Sequence, residues 1–183
     1  MTRHVNFGLW YDFRNPAPWT VPFEQMYAGS LDQIAEAEAL GFDSVWLTEH
    51  HFCDDGYTPS PLVIAAAIGA RTKRMRIGTN LMILPLHNPV RIAEDAATLD
   101  VISNGRLELG LGIGYKVEEF IGFNVDLKER AQRMEEGIEI IKRLFAGERF
   151  SFKGKHYTYN DIALYPGPVQ QEPKLWIAGF SNV

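Results

Sequence analysis

The chain has 183 residues, which is enough to bury a core and form one domain. Its formal net charge of −5 and the absence of a dense lysine or arginine cluster argue against a nucleic-acid-binding protein. The single cysteine, Cys53, excludes an internal disulfide, and no apolar run is long enough to span a bilayer. We therefore expect a soluble cytoplasmic protein that binds neither nucleic acid nor membrane.

Short apolar runs alternate with helical patterns along the chain. Five strands are predicted, at Val5–Trp10, Ser44–Leu47, Met75–Leu84, Arg106–Leu111 and Lys174–Ala178. Helices are predicted between them, around Leu31–Leu40, from Ser60-Pro61 to about Arg71, after Asn88-Pro89, and from Asp126 to Gly147. Residues 148–172 interrupt this order with a predicted hairpin and a proline-rich loop.

Alternating strands and helices indicate an α/β fold in which parallel strands are joined by right-handed crossovers. A (β/α)₈ barrel and an open doubly wound sheet both satisfy this pattern. In either fold the carboxyl ends of the strands carry the chemistry, so the residues that follow each strand are the candidates for a site.

Titratable residues follow the second strand, in the sequence Thr48-Glu49-His50-His51-Phe52. Because neighbouring strand residues point to opposite faces, His50 shares a face with Trp46, and His51 lies on the other face. The alternation therefore predicts that His50 faces inward, where an imidazole suits proton transfer near neutral pH. His51 is predicted to be structural.

The same segment contains residue types that bind metals, namely Glu49, His50, His51 and Asp54. Adjacent histidines diverge on a strand, however, and no further ligand follows at the spacing of a known zinc site. We therefore predict no metal site here.

Three glycines end the fourth strand, as Gly110-x-Gly112-x-Gly114. Their spacing resembles a dinucleotide-binding fingerprint, but the third glycine comes one residue early and no capped helix follows at once. The simpler interpretation is that the glycines let another backbone segment, or a ligand, approach the strand end closely.

Several motifs, in the right order over nearly the whole chain, resemble those of the bacterial luciferase-like flavin monooxygenases. They are Gly41–Phe52, Ile77–Asn80, Leu84–Asp95, Leu99-Asp100, Ser103-x-Gly105-Arg106, the glycine segment, and Pro168-Val169-Gln170. The resemblance implies a TIM (β/α)₈ barrel that binds reduced flavin, either FMN or the related deazaflavin coenzyme. With five of eight strands, residues 1–183 would form one barrel domain truncated after the fifth strand.

The resemblance also implies roles for particular residues. His50 matches the family's first histidine, which acts near the flavin. Flavin contacts are implied at Asn80 and Leu81, which a cis peptide bond would join, and at Gly112, Gly114 and Tyr115. Gly112 replaces the reactive cysteine of the luciferase α chain, which argues against an aldehyde-oxidising luciferase.

Further contacts are expected at both ends of the chain. Ile113 replaces an arginine that often binds the flavin phosphate, which weakens the FMN assignment. Gly179 and Ser181 would supply amides and a hydroxyl to a phosphate. The aromatic residues Trp10, Tyr11 and Phe13 would line an apolar substrate pocket.

The implied activity is the oxygenation of a small organic substrate by reduced flavin and dioxygen, with a flavin reductase as a candidate partner. Two alternatives remain open, a deazaflavin-dependent oxidoreductase and a catalytically incomplete half-barrel with a structural role. Trp176 and Ile177 on the last strand would leave an apolar edge unpaired, so we expect a homodimer.

Overall fold

The computed structural model of the protein describes residues 5–178. The strands are β1 (Gly8–Tyr11), β2 (Ser44–Leu47), β3 (Arg76–Thr79), β4 (Met82–Ile83), β5 (Leu107–Gly112), β6 (Phe150–Lys153), β7 (Thr158–Ile162) and β8 (Lys174–Ile177). The α-helices are α1 (Phe23–Ala39), α2 (Pro61–Arg71), α3 (Pro89–Ser103), α4 (Val117–Gly122) and α5 (Arg130–Phe145). Within the described residues, no helix is both long and apolar enough to cross a membrane.

The main sheet is parallel and follows the chain order β1-β2-β3-β5-β8, with the short β4 also pairing with β5. Helices connect successive strands, which confirms the predicted α/β fold and gives the order expected for part of a barrel. In the described part of the chain, β1 pairs only with β2, and β8 pairs only with β5. The strands β6 and β7 form a separate antiparallel hairpin.

The outer face of the sheet carries the apolar core. Val45, Leu47, Ile77 and Leu109 are fully buried on this face. They belong to one cluster with buried residues of the surrounding helices, which include Ile34, Ile68, Leu99 and Ile141. Burial of these aliphatic side chains stabilises each strand against its helices and holds the carboxyl ends of the strands in place.

The inner face is built differently, from aromatic rings and glycines. The ring of Trp46 meets that of Trp176 edge to face, with 6.1 Å between centroids. Gly78 lies beneath Trp46, and a Cβ atom at Gly78 would come within 2.3 Å of its ring. A side chain at Gly78 would therefore displace the indole that fills this part of the interior.

The third predicted strand is wrong as a single element, because it divides into β3 and β4 around Asn80 and Leu81. Thr79 Oγ1 donates to Gly110 O at 2.8 Å and accepts from Gly110 N at 2.9 Å, so a side chain takes the place of ladder bonds. A Cβ at Gly110 would lie 2.0 Å from Thr79 O. This close approach is the role that the simpler interpretation gave to the glycines.

The first helix, predicted around Leu31–Leu40, begins eight residues earlier, at Phe23, and most other boundaries differ by a few residues. The strand β1 begins at Gly8 rather than Val5, and β5 runs from Leu107 to Gly112. The starts of α2 and α3 are confirmed, and Asn88 caps α3 by accepting from the amides of Val90 and Arg91. The sequence did not predict the short helix α4.

Candidate functional site

A cavity of about 370 Å³ lies at the carboxyl ends of the strands. Small-molecule sites in proteins usually have volumes of roughly 300–1,000 Å³ and are mostly apolar with a few polar groups. This cavity fits that description. Its lining residues are Trp10, Thr48, Glu49, His50, Tyr57, Asn80, Leu81, Ile83, Gly112, Ile113, Gly114, Tyr115 and Ala178.

The structure brings most of the predicted site residues into this one cavity. Those residues are Trp10, His50, Asn80, Leu81, Gly112, Gly114 and Tyr115. They come from four separate segments of the chain and meet because parallel strands place their carboxyl ends at the same edge. The predicted phosphate contacts, Gly179 and Ser181, lie outside the described residues.

The structure does not bring Tyr11 and Phe13 to the cavity. Phe13 is only 3% exposed, and its ring centroid lies 5.0 Å from that of Tyr27 on α1. The Tyr11 hydroxyl bonds to Gln33 of the same helix. Because side chains alternate along β1, Trp10 points to the interior while Tyr11 points to the helices.

The His50 ring stands between the cavity and a polar depression that opens to solvent. Its Nδ1 lies 2.7 Å from Glu119 Oε1, and its ring packs edge-on against Tyr57 and Tyr115. The depression is also lined by Arg14, Cys53, Asp54, Asp55 and Lys116. A proton at His50 therefore has access both to a ligand in the cavity and to solvent.

Glu119 is the functional candidate that sequence reasoning missed. It lies on α4, its side chain is 1% exposed, and Oε1 also accepts from the backbone amide of His51 at 3.0 Å. Lys116 Nζ lies 3.9 Å away. Glu119 follows another glutamate in a segment without a clear helical pattern, so only the tertiary structure distinguishes it from a surface residue.

A second buried carboxylate, that of Glu49, follows β2 and borders the same cavity. Glu49 Oε1 accepts from His87 Nε2 at 2.7 Å and from His51 Nε2 at 3.2 Å, while Oε2 accepts from the amide of Ile83. Burial raises the pKa of the Glu49 carboxyl, but the hydrogen bonds from His51, His87 and Ile83 outweigh it and lower that pKa to about 2.

This cluster differs from the metal set considered on sequence grounds. The ligand atoms of Glu49, His51 and His87 lie within 4.8 Å of one another. His50 is turned away toward Glu119, and His87 takes its place. The three groups already satisfy one another by hydrogen bonds, which is the arrangement of a structural network.

Leu81 and Gly112 form one wall of the cavity. The Asn80–Leu81 peptide bond is cis, as the resemblance implied. A Cβ atom at Gly112 would lie 3.1 Å from Leu81 Cδ1, so the absence of a side chain there lets Leu81 take its position. The neighbouring Ile83 and Ile113 extend an apolar surface around these two residues.

The family model of the luciferase-like monooxygenases matches residues 5–183 of this chain. The chain therefore belongs to the luciferase-like monooxygenase family.

Relatives in this family use two kinds of cofactor, according to their names. The chain is 36% identical over 169 residues to an F420-dependent glucose-6-phosphate dehydrogenase of Kineococcus radiotolerans, covering 87% of this chain and 50% of the relative. It is 30% identical over 159 residues to the oxygenase component of a flavin-dependent trigonelline monooxygenase of Acinetobacter baylyi, covering 85% and 44%. The chain thus spans about half the length of the curated relatives it matches.

Solved structures show the same fold. The monooxygenase RslO1 of Streptomyces bottropensis superposes with a TM-score of 0.88 at 31% identity, over 94% of this chain and 53% of that one. The oxygenating constituent of 3,6-diketocamphane monooxygenase from Pseudomonas putida, solved with FMN, gives a TM-score of 0.84 at 21% identity, over 97% and 52%. The described chain has the architecture of part of a luciferase-like TIM barrel.

Proposed function

We propose that the protein is a flavin-dependent monooxygenase in which reduced FMN and dioxygen oxygenate a small organic substrate. The observation that carries this proposal is the shared cavity, where His50 meets the Asn80–Leu81 segment and the glycines at the end of β5. Family membership and the relatives named as monooxygenases support it.

The residues of the cavity fit a planar ring system. Gly112 and Gly114 leave room beside the apolar wall of Leu81, and Asn80 and His50 are among the polar groups able to orient a ligand. We assign the ring contacts to these residues and to Tyr115, and a substrate contact to Trp10. When bound, the reduced flavin would supply the electrons that activate dioxygen.

His50 is the proposed catalytic residue. Its ring lines the cavity, and an imidazole exchanges protons near neutral pH. In this proposal His50 holds or delivers a proton at the cavity, while the apolar wall around Leu81 excludes water.

A deazaflavin-dependent oxidoreductase is the second candidate. Two observations favour it: the 36% identity to a dehydrogenase named as F420-dependent, and Ile113 at the position of the implied phosphate-binding arginine. The two candidates share the cavity and differ in the cofactor that it holds.

Anaerobic titration with reduced FMN and with reduced F420 tests the proposal, with tryptophan fluorescence as the readout because Trp10 borders the cavity. We expect tighter binding of FMN and oxygen consumption on adding air. Leu81→Asp should abolish binding, whereas Leu40→Asp, at an exposed apolar position after α1, should not. Tighter binding of F420 would favour the second candidate, and a folded chain that binds neither would favour the structural half-barrel.

The partners and location belong to the same proposal. Trp10 and Trp176 on the inner face of the sheet remain about half or more exposed, so a homodimer that covers this face is expected. A flavin reductase would supply the reduced cofactor, as the phrase oxygenase component implies for the Acinetobacter relative. The free thiol of Cys53 is consistent with the cytoplasm. Light scattering at low micromolar concentration tests the dimer.

A further inference from the structure

We infer that Glu119 is the positioning residue for His50, and that it fixes the imidazole in the tautomer with the proton on Nδ1. The inference rests on the proposed function, because His50 is the residue that transfers the proton in that proposal. It concerns the state in which His50 presents its other nitrogen, Nε2, to a ligand.

The direction of the His50–Glu119 bond follows from the chemistry of its two groups. Glu119 Oε1 already accepts the amide proton of His51, and a carboxylate oxygen can accept a second hydrogen bond, so His50 Nδ1 is the donor across the 2.7 Å separation. That distance is typical of a charge-assisted hydrogen bond. With Nδ1 protonated, Nε2 of the neutral ring is the acceptor, and no group in residues 5–178 bonds to it.

Glu119 is itself held in place. Its Oε1 accepts from the His51 amide at 3.0 Å, so the carboxylate is anchored to the backbone next to the ring that it orients. His51 in turn is fixed by Glu49 through its side chain. The backbone of the segment that carries the His50 ring therefore also holds the carboxylate to which the ring bonds.

Burying the Glu119 carboxylate costs free energy of folding, so its position calls for an explanation. Its side chain is 1% exposed, and Oε2 has no hydrogen-bond partner among the described residues. Lys116 Nζ, 3.9 Å from Oε1, offsets part of the charge. Orientation of His50, which uses only Oε1, accounts for a buried carboxylate whose second oxygen has no partner among the described residues.

Nitrogen-15 NMR of the histidine side chains tests the inference without depending on turnover. At about pH 8.5 we expect the wild-type signal of His50 to show protonated Nδ1 and bare Nε2. Glu119→Gln keeps an oxygen acceptor and should keep this tautomer. Glu119→Ala removes the acceptor and should shift His50 toward protonated Nε2.

Glu118→Gln is the matched control, because Glu118 is the exposed neighbour on the same helix. It should leave the His50 spectrum and the turnover unchanged. In the flavin-loaded protein, Glu119→Ala should lower kcat by about tenfold or more, and Glu119→Gln should restore most of that loss. If Glu119 had only a structural role, kcat would not recover in the same variant that restores the His50 tautomer.

Two results would overturn the inference: a wild-type His50 with the proton on Nε2, or a folded Glu119→Ala variant with the wild-type tautomer. Failure of the proposed function looks different. If His50→Ala retained full turnover while the tautomer results came out as expected, the positioning would stand and the catalytic role of His50 would fall.

Discussion

His50 and His51 are neighbours in the sequence, and each bonds to a buried carboxylate, yet their surroundings differ. His51 bonds to Glu49, and both oxygens of that carboxylate accept hydrogen bonds, from His51, His87 and the Ile83 amide. We call this group of residues the closed network. His50 bonds to Glu119 through one nitrogen and lines the cavity with the rest of its ring. Two adjacent residues beyond the end of β2 therefore differ in environment, because His51 is held in a hydrogen-bond network and His50 borders the cavity.

The largest effect should come from the closed network. Glu49→Gln should lower the free energy of unfolding by about 3 kcal/mol at pH 7, because two imidazoles and the Ile83 amide lose a charged acceptor in a buried site. Urea unfolding measures this. Glu94→Gln on the exposed face of α3 is the control and should change stability by less than about 0.5 kcal/mol. Equal stability of the two variants would mean that the Glu49 bonds are not formed in solution.

At the open side, which is His50 with its partner Glu119 at the cavity, a substitution should change the activity rather than the stability. His50→Ala should lower turnover of the flavin-loaded protein by about 10²-fold, equivalent to about 2.7 kcal/mol in the barrier, with flavin affinity little changed. His51→Ala should do the reverse, with lower stability and turnover per folded molecule close to wild type. Kinetics and thermal melts of both variants test the contrast, and similar kinetic losses in the two would remove it.

A smaller effect tests the wall of the cavity. Gly112→Ala would place a Cβ atom 3.1 Å from Leu81 Cδ1, so Leu81 must shift. We expect about tenfold weaker flavin binding, or about 1.4 kcal/mol, measured by the same fluorescence titration. Gly29→Ala on α1 is the control, because nothing lies within 4 Å of the added atom and alanine favours helix. Unchanged affinity in Gly112→Ala would place the flavin ring elsewhere.

The sequence predicted the parts of the fold that follow from local pattern. The predicted strands and helices occur in the predicted order, apart from the division of the third strand and the unpredicted α4. Alternation alone assigned His50 to the interior, where it borders the cavity. The same alternation rule, applied to β1, predicts that Trp10 faces the cavity and that Tyr11 faces α1, as the structure shows. Grouping the three aromatic residues by type instead of by direction produced that error.

The remaining parts depend on contacts between distant segments. Glu119 lies 69 residues after its partner His50, and His87 lies 38 residues after Glu49. The division of the third strand depends on Thr79 bonding to Gly110, 31 residues away. In each case the local sequence permits several environments, and the tertiary structure selects one.

The last and smallest effect concerns the acid stability of the closed network. The Glu49 carboxyl has an ordinary pKa of about 4.5 in the unfolded chain and about 2 in the folded protein. A lowered folded-state pKa stabilises the protein above the unfolded value, and this contribution is lost as the pH falls from about 4.5 toward 2.

Between pH 7 and about pH 4, the wild-type protein should therefore lose about 1 kcal/mol that Glu49→Gln does not lose, because glutamine does not titrate. Urea unfolding of both proteins at each pH isolates this difference from the other carboxylates, which the two share. Parallel pH profiles would show that Glu49 has the same proton affinity in the folded and unfolded chain. The closed network would then offer no more electrostatic stabilisation than an exposed carboxylate, and its contrast with the open side would rest on geometry alone.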